Sequence, residues 1–90
     1  MIKTKPNDAD PLTVALQALT VTISDESRAR RLLDLSGLSP DDLRSRATDR
    51  AVLAALLGFL EAHEPDLVSV AEAIGRKPEE LVAARSALEA

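Results

Sequence analysis

Residues 75–82 read GRKPEELV, and residues 37–44 read GLSPDDLR. Both follow Gly-x-x-Pro-acid-acid-Leu. A glycine takes the left-handed conformation that ends a helix, and a proline suits the first position of the next one. Acids in a first turn meet the positive end of the helix dipole. Each octet therefore predicts a tight turn between two helices. The two turns lie thirty-eight residues apart, and at that offset Val14 meets Val52, Leu19 meets Leu57, Glu26 meets Glu64 and Asp34 meets Glu72. Two readings stay open: the chain is two pseudo-repeats of a three-helix unit, or both turns obey the same helix stop-and-start grammar.

Working outward, Asp10 before Pro11 reads as an N-cap, with Leu12, Ala15, Leu16, Leu19 and Ile23 as the apolar face of a first helix. The β-branched run 20–23 is expected to weaken its last turn. A second helix starts at Ser24 or Asp25, turns Ala29, Leu32 and Leu33 inward and stops at Gly37. Ser39 caps a short third helix. Thr48 or Asp49 opens a fourth, whose stretch AVLAALLGFL (51–60) is apolar all round and so predicts a helix enclosed by others. Ala54 and Gly58 are expected to let a neighbouring backbone approach closely. Glu64–Asp66 begin a fifth helix, with Leu67, Val70, Ala71 and Ile74 inward. A sixth begins at Pro78, with Leu81, Ala84 and Leu88 inward. Residues 1–9 read as a flexible N-terminal tail and residues 10–90 as a single all-α domain, a compact bundle of about five to six short helices.

Composition agrees with that class. Of the 90 residues, 46% are hydrophobic and Phe59 is the only aromatic, so Ala, Leu, Val and Ile carry the core. No cysteine is present, which removes disulfides and thiolate metal sites. The net charge of −4 gives no global attraction to nucleic acid or anionic lipid. The longest apolar run spans about half a membrane, and Asp8 and Asp10 spoil any secretory leader. A cytoplasmic protein is expected.

The segments ALQAL (15–19), GLSPDDLR, VLAALLGFLEAHEPDL (52–67) and AEAIGRKPEELVAAR (71–85) together resemble a family of short alphaproteobacterial proteins catalogued as a domain of unknown function, number three-five-seven-two. The resemblance implies a small helical bacterial protein and carries over no catalytic or binding residue.

Three segments invite chemistry. Residues 67–88 fit helix-turn-helix grammar, with Arg76, Lys77 and Arg85 as nucleic-acid contacts. Glu79 and Glu80, however, would lead the recognition helix and repel phosphate. The cluster Arg28, Arg30, Arg31, Arg44, Arg46 and Arg50 mostly finds carboxylates at helical spacing: Glu26–Arg30, Arg30–Asp34, Arg31–Asp34, Asp41–Arg44 and Asp42–Arg46. Arg28 and Arg50 find none. HEPD (63–66) offers His63, Glu64 and Asp66 as metal ligands, but the proline fixes them at a helix start, where acids already serve the dipole. No nucleophile–base pair or phosphate loop is present, so neither an enzyme nor a cofactor is expected.

Val14, Val21, Leu35, Leu38, Val68 and Val82 lie off the inward stripes. An apolar surplus of this kind marks a partner or dimer surface when it is exposed. The expected function is a non-catalytic protein-interaction module or accessory protein, with Arg28, Arg31, Leu35, Leu38 and Arg50 as partner contacts. The expected partner is another protein, or a second copy in a homodimer, and not a membrane. The alternative is a helix-turn-helix DNA-binding protein.

Overall fold

The computed structural model describes residues 10–90, so the tail expected over residues 1–9 lies outside the described residues. Six helices follow one another: α1 (Pro11–Ser24), α2 (Glu26–Ser36), α3 (Pro40–Ser45), α4 (Arg50–Glu61), α5 (Glu64–Ala73) and α6 (Pro78–Glu89). No strand occurs among the described residues. The Cα radius of gyration, 12.7 Å, is that of a compact globule of this length.

The boundaries come from local chemistry. The Asp10 carboxylate accepts the N–H of Thr13, that of Asp25 accepts Arg28 N–H, and that of Asp49 accepts Ala51 N–H. Ser39 and Asp42 exchange side-chain and backbone bonds in a capping box. The α5–α6 turn closes as a Schellman motif: Arg76 N–H donates to Ala71 C=O at 2.9 Å and Gly75 N–H to Glu72 C=O at 3.1 Å. Gly37 and Gly75 take φ of 75° and 72°, the left-handed values that a side chain would strain.

The core is a pair of helices, α1 on α4, with α6 laid against both. Leu53, Leu57, Leu60 and Leu81 are fully buried there. α5 packs on α4, α6 and α1, and α2 packs on α1 and more lightly on α4. α3 packs closely against no other helix and reaches the core through Leu43.

The two halves correspond. α2 and α5 start at Glu26 and Glu64, and α3 and α6 at Pro40 and Pro78, thirty-eight residues apart in each case. The turn glycines match in φ, and the residues capping α3 and α6, Ser39 and Lys77, have φ of −86° and −88°. The lengths do not match: α3 has 6 residues and α6 has 12.

Several expectations need correction. The buried face of α1 is Val14, Ala15, Ala18, Leu19 and Thr22, rotated from the expected stripe, because α1 must cover α4 and α6 together. Leu12 and Leu16 are half-buried and Ile23 is 45% exposed. The β-branched run is helical through Ser24, and Thr20, Thr22 and Ser24 satisfy their hydroxyls by donating to the carbonyls four residues back. Thr22 can be fully buried for that reason. At Gly58 no backbone approaches: a Cβ there would stand 3.8 Å from Arg85 Cδ, so the arginine stem covers it instead. Of the six off-stripe apolar residues, Val14 is buried, Val21 and Leu38 are half-buried, and Leu35, Val68 and Val82 are exposed.

Candidate functional site

The standing-off of α3 leaves an apolar groove of about 400 Å³ between α1, α2 and α3. Leu16, Leu19 and Ile23 form its α1 wall, Ala29 and Leu33 its α2 wall, and Pro40, Leu43 and Ala47 the side given by α3 and the loop after it. Its polar lining is Thr20 and Arg44. Neither is free: Thr20 donates to Leu16 C=O at 3.0 Å, and Arg44 donates to Asp41 at 2.9 Å. The groove therefore offers aliphatic surface, without a nucleophile or a titrating base. This volume lies in the range that takes a small ligand or two or three large apolar side chains.

On the other flank of α2 lies an ion cluster. Asp66, 5% exposed, accepts Arg28 Nε at 2.9 Å, while Arg31 Nη1 lies 2.9 Å from its second oxygen. The latter is a contact of charge rather than a well-directed hydrogen bond. Arg28 also donates to Ser69 at 2.9 Å, and the Arg31 guanidinium sits 5.7 Å from the centre of the Phe59 ring, within cation–π range. Burial alone would raise the Asp66 carboxyl; the arginines outweigh it and hold the carboxyl below its ordinary value. The Asp66 carboxylate in turn raises Arg31. Asp66 and Arg28 occupy the same position in the two halves, so the cluster joins the halves at equivalent residues.

The structure therefore distributes the expected partner contacts. Arg28 and Arg31 are turned to Asp66, which replaces the expected Arg31–Asp34 pair, and Arg28 also finds a local mate that was not expected, the N-cap Asp25 at 3.9 Å. Leu35 stands 77% exposed on the same side of α2, and Leu38 is half-buried. Arg50 lies elsewhere, its guanidinium donating to the carbonyls of Ala87 and Leu88 at the end of α6. Among the other spacing-based pairs, Glu26–Arg30 and Asp41–Arg44 form, whereas Arg46 turns to Asp49 rather than Asp42. The basic residues of the helix-turn-helix are also engaged: Arg76 with Gln17 and Glu80, Arg85 with Glu61 and Glu89. Lys77 stands at the N-cap position of α6, its backbone N–H donating to the Glu80 carboxylate at 2.9 Å, and is exposed. The HEPD side chains diverge, with Asp66 buried and His63 and Glu64 exposed. Among the described residues, no three such ligands stand close enough to hold a metal ion.

A family model described as "Protein of unknown function (DUF3572)" matches residues 8–90. The chain belongs to that family. No curated protein and no solved structure matches this DUF3572 chain. Among its described residues, no helix is long and apolar enough to cross a membrane.

Asp66 and the groove are what sequence reasoning missed. Asp66 reads as a dipole acid at a helix start, yet its offset partner is Arg28, an opposite charge at the equivalent position. The groove had a fainter signal: after PDDLRS the chain must turn into α4, whereas PEELVAARSALE runs on as helix.

Proposed function

We propose that this DUF3572 protein is a non-catalytic interaction module that receives the apolar face of a partner protein's helix in the groove between α1, α2 and α3. The observation that carries the reading is the groove itself: an aliphatic channel of about 400 Å³ in which Ile23 remains 45% exposed beside half-buried Leu16 and Leu33. A helix laid in such a groove removes apolar surface from water at several anchor positions. The groove lining supplies aliphatic surface and no acid–base pair, which favours binding over catalysis.

The DNA-binding alternative is less well supported. α6 would be the recognition helix, but it is packed between α1, α4 and α5. Its exposed residues include Glu79 and Glu80, and Arg85 is already paired with two acids. A DNA reader needs unpaired basic side chains for phosphate.

The test is proximity cross-linking in the native cell with the wild-type chain, with Leu33→Glu in the groove and with Leu35→Glu outside it. A protein adduct lost only with Leu33→Glu supports the reading. Adducts that ignore the groove variant, or recovery of nucleic acid in place of protein, would refute it.

A further inference from the structure

The α3 side of the groove is held differently from its other two walls. Among the described residues, every hydrogen bond and ion pair made by residues 38–48 ends on a residue between 36 and 49. Each of the other five helices is joined to a distant part of the chain. Arg76 donates to Gln17 of α1, Arg28 of α2 to Asp66 of α5, and Arg50 of α4 to Ala87 C=O of α6. For residues 38–48, apolar contact is what remains. Leu43 is buried, Leu38 and Ala47 are half-buried, and the others are exposed. Those three side chains belong to or pack on the core, and α3 packs closely against no other helix.

The bonds inside the segment keep it in one piece. Ser39 and Asp42 close the capping box, Pro40 takes the first helical position, and Asp41 pairs with Arg44 at 2.9 Å. A six-residue helix is marginal by propensity alone, so these caps are what would hold its turns away from the core. Lifting the segment breaks none of them and gives up only the burial of Leu38, Leu43 and Ala47. Both its ends are turns, at Gly37 and at residues 46–48.

The groove as it stands is narrow for a helix. An α-helix with its side chains is about 10–12 Å across, whereas about 400 Å³ takes two or three large apolar side chains. Two of its lining leucines, Leu19 and Leu43, are withdrawn at 5% and 8% exposure. Pro40, Leu43, Arg44 and Ala47 form the α3 side. An outward swing of α3 therefore widens the groove, while α1 and α2, which pack on each other, keep their places.

Resting on the docking reading above, we infer that α3 is a gate. It swings outward as an intact capped helix about the turns at Gly37 and 46–48, and Leu43 is the latch that holds it closed. The partner helix enters the opened groove, so the fraction of open molecules sets its apparent affinity.

The chain has no cysteine, so spin labels attach only where cysteines are introduced. Arg30→Cys with Ser45→Cys, exposed positions on α2 and α3, reads the gate by pulsed electron spin resonance, and Arg30→Cys with Ala55→Cys, exposed on α2 and α4, reads the body. Adding Leu43→Ala should raise the ratio of open to closed molecules by at least about ten-fold. A longer 30–45 distance should appear while the 30–55 distance stays single and the Cα chemical shifts of residues 40–45 stay helical. Leu43→Val, a smaller truncation, should move the ratio less in the same direction, and serves where Leu43→Ala lowers global stability too far. An unchanged 30–45 distance, loss of the helical shifts, or a spread at both pairs would overturn the inference. In the native cell Leu43→Ala should raise the yield of the groove adduct, because more molecules are competent to bind; a lower yield would also overturn it, as the mark of a fixed wall. If α3 stays in place while Leu33→Glu abolishes the adduct, the docking reading stands and the gate falls. If α3 opens as described while the adduct ignores Leu33→Glu, the motion stands and the docking reading falls.

Discussion

Replacing Asp66 by asparagine keeps the side chain's shape and removes its charge, leaving Arg28 and Arg31 facing each other across a neutral amide. The loss is expected to cost roughly 1–3 kcal/mol, because charge-assisted bonds to a buried acceptor are lost, and urea unfolding measures it. The same residue predicts a pH dependence. Its carboxyl is held below the ordinary aspartate value in the fold, so its contribution is complete above the unfolded value of about 4 and disappears as pH falls through the folded value. The stability gap between wild type and Asp66→Asn should therefore narrow as pH falls below about 4. At this scale the caps were legible, since Asp10, Ser39 and Asp49 act within four residues of themselves. Asp66 was not, because its partners lie thirty-five and thirty-eight residues away and helical spacing reports only neighbours.

Among the helices and their turns, the three glycines separate by conformation. Gly58 is helical, and an added methyl would meet only Arg85 Cδ at an ordinary contact distance of 3.8 Å. Gly58→Ala is expected to stabilise the protein by about 0.5–1 kcal/mol through helix propensity. Gly75→Ala meets no atom within 4 Å yet forces a side chain into φ of 72°, so it should destabilise by about 1 kcal/mol or more. Calorimetry distinguishes the pair: one substitution raises Tm and the other lowers it, by roughly 4–8 °C per kcal/mol for a domain of this size. Helix identities and starts were readable because Pro, Gly and capping residues mark them locally. The buried face of α1 was not, because Val14 and Ala18 are chosen by two neighbours at once, a constraint that a single helical stripe does not contain.

Across the whole molecule, the core and the groove answer differently to substitution. Leu57→Ala removes a fully buried side chain from the α4 centre and should cost about 2–5 kcal/mol. Leu33→Glu, on a half-buried wall of the groove, should retain the helical signal in circular dichroism. The repeat was visible in the sequence as a spacing, and the structure makes it a correspondence of helix starts and turn conformations. The asymmetry that opens the groove was less visible, since it depends on where a six-residue helix comes to rest.

α6, from the second half, lies across α1, from the first. Neither half of the polypeptide therefore owns a closed interior. A chain severed in the loop at 46–49 would yield two fragments, one lacking the cover for α1 and the other lacking the surface under α6. Each should be largely unfolded alone. Mixed together they should regain helicity at a rate that rises with concentration, as two separate molecules complete one interior.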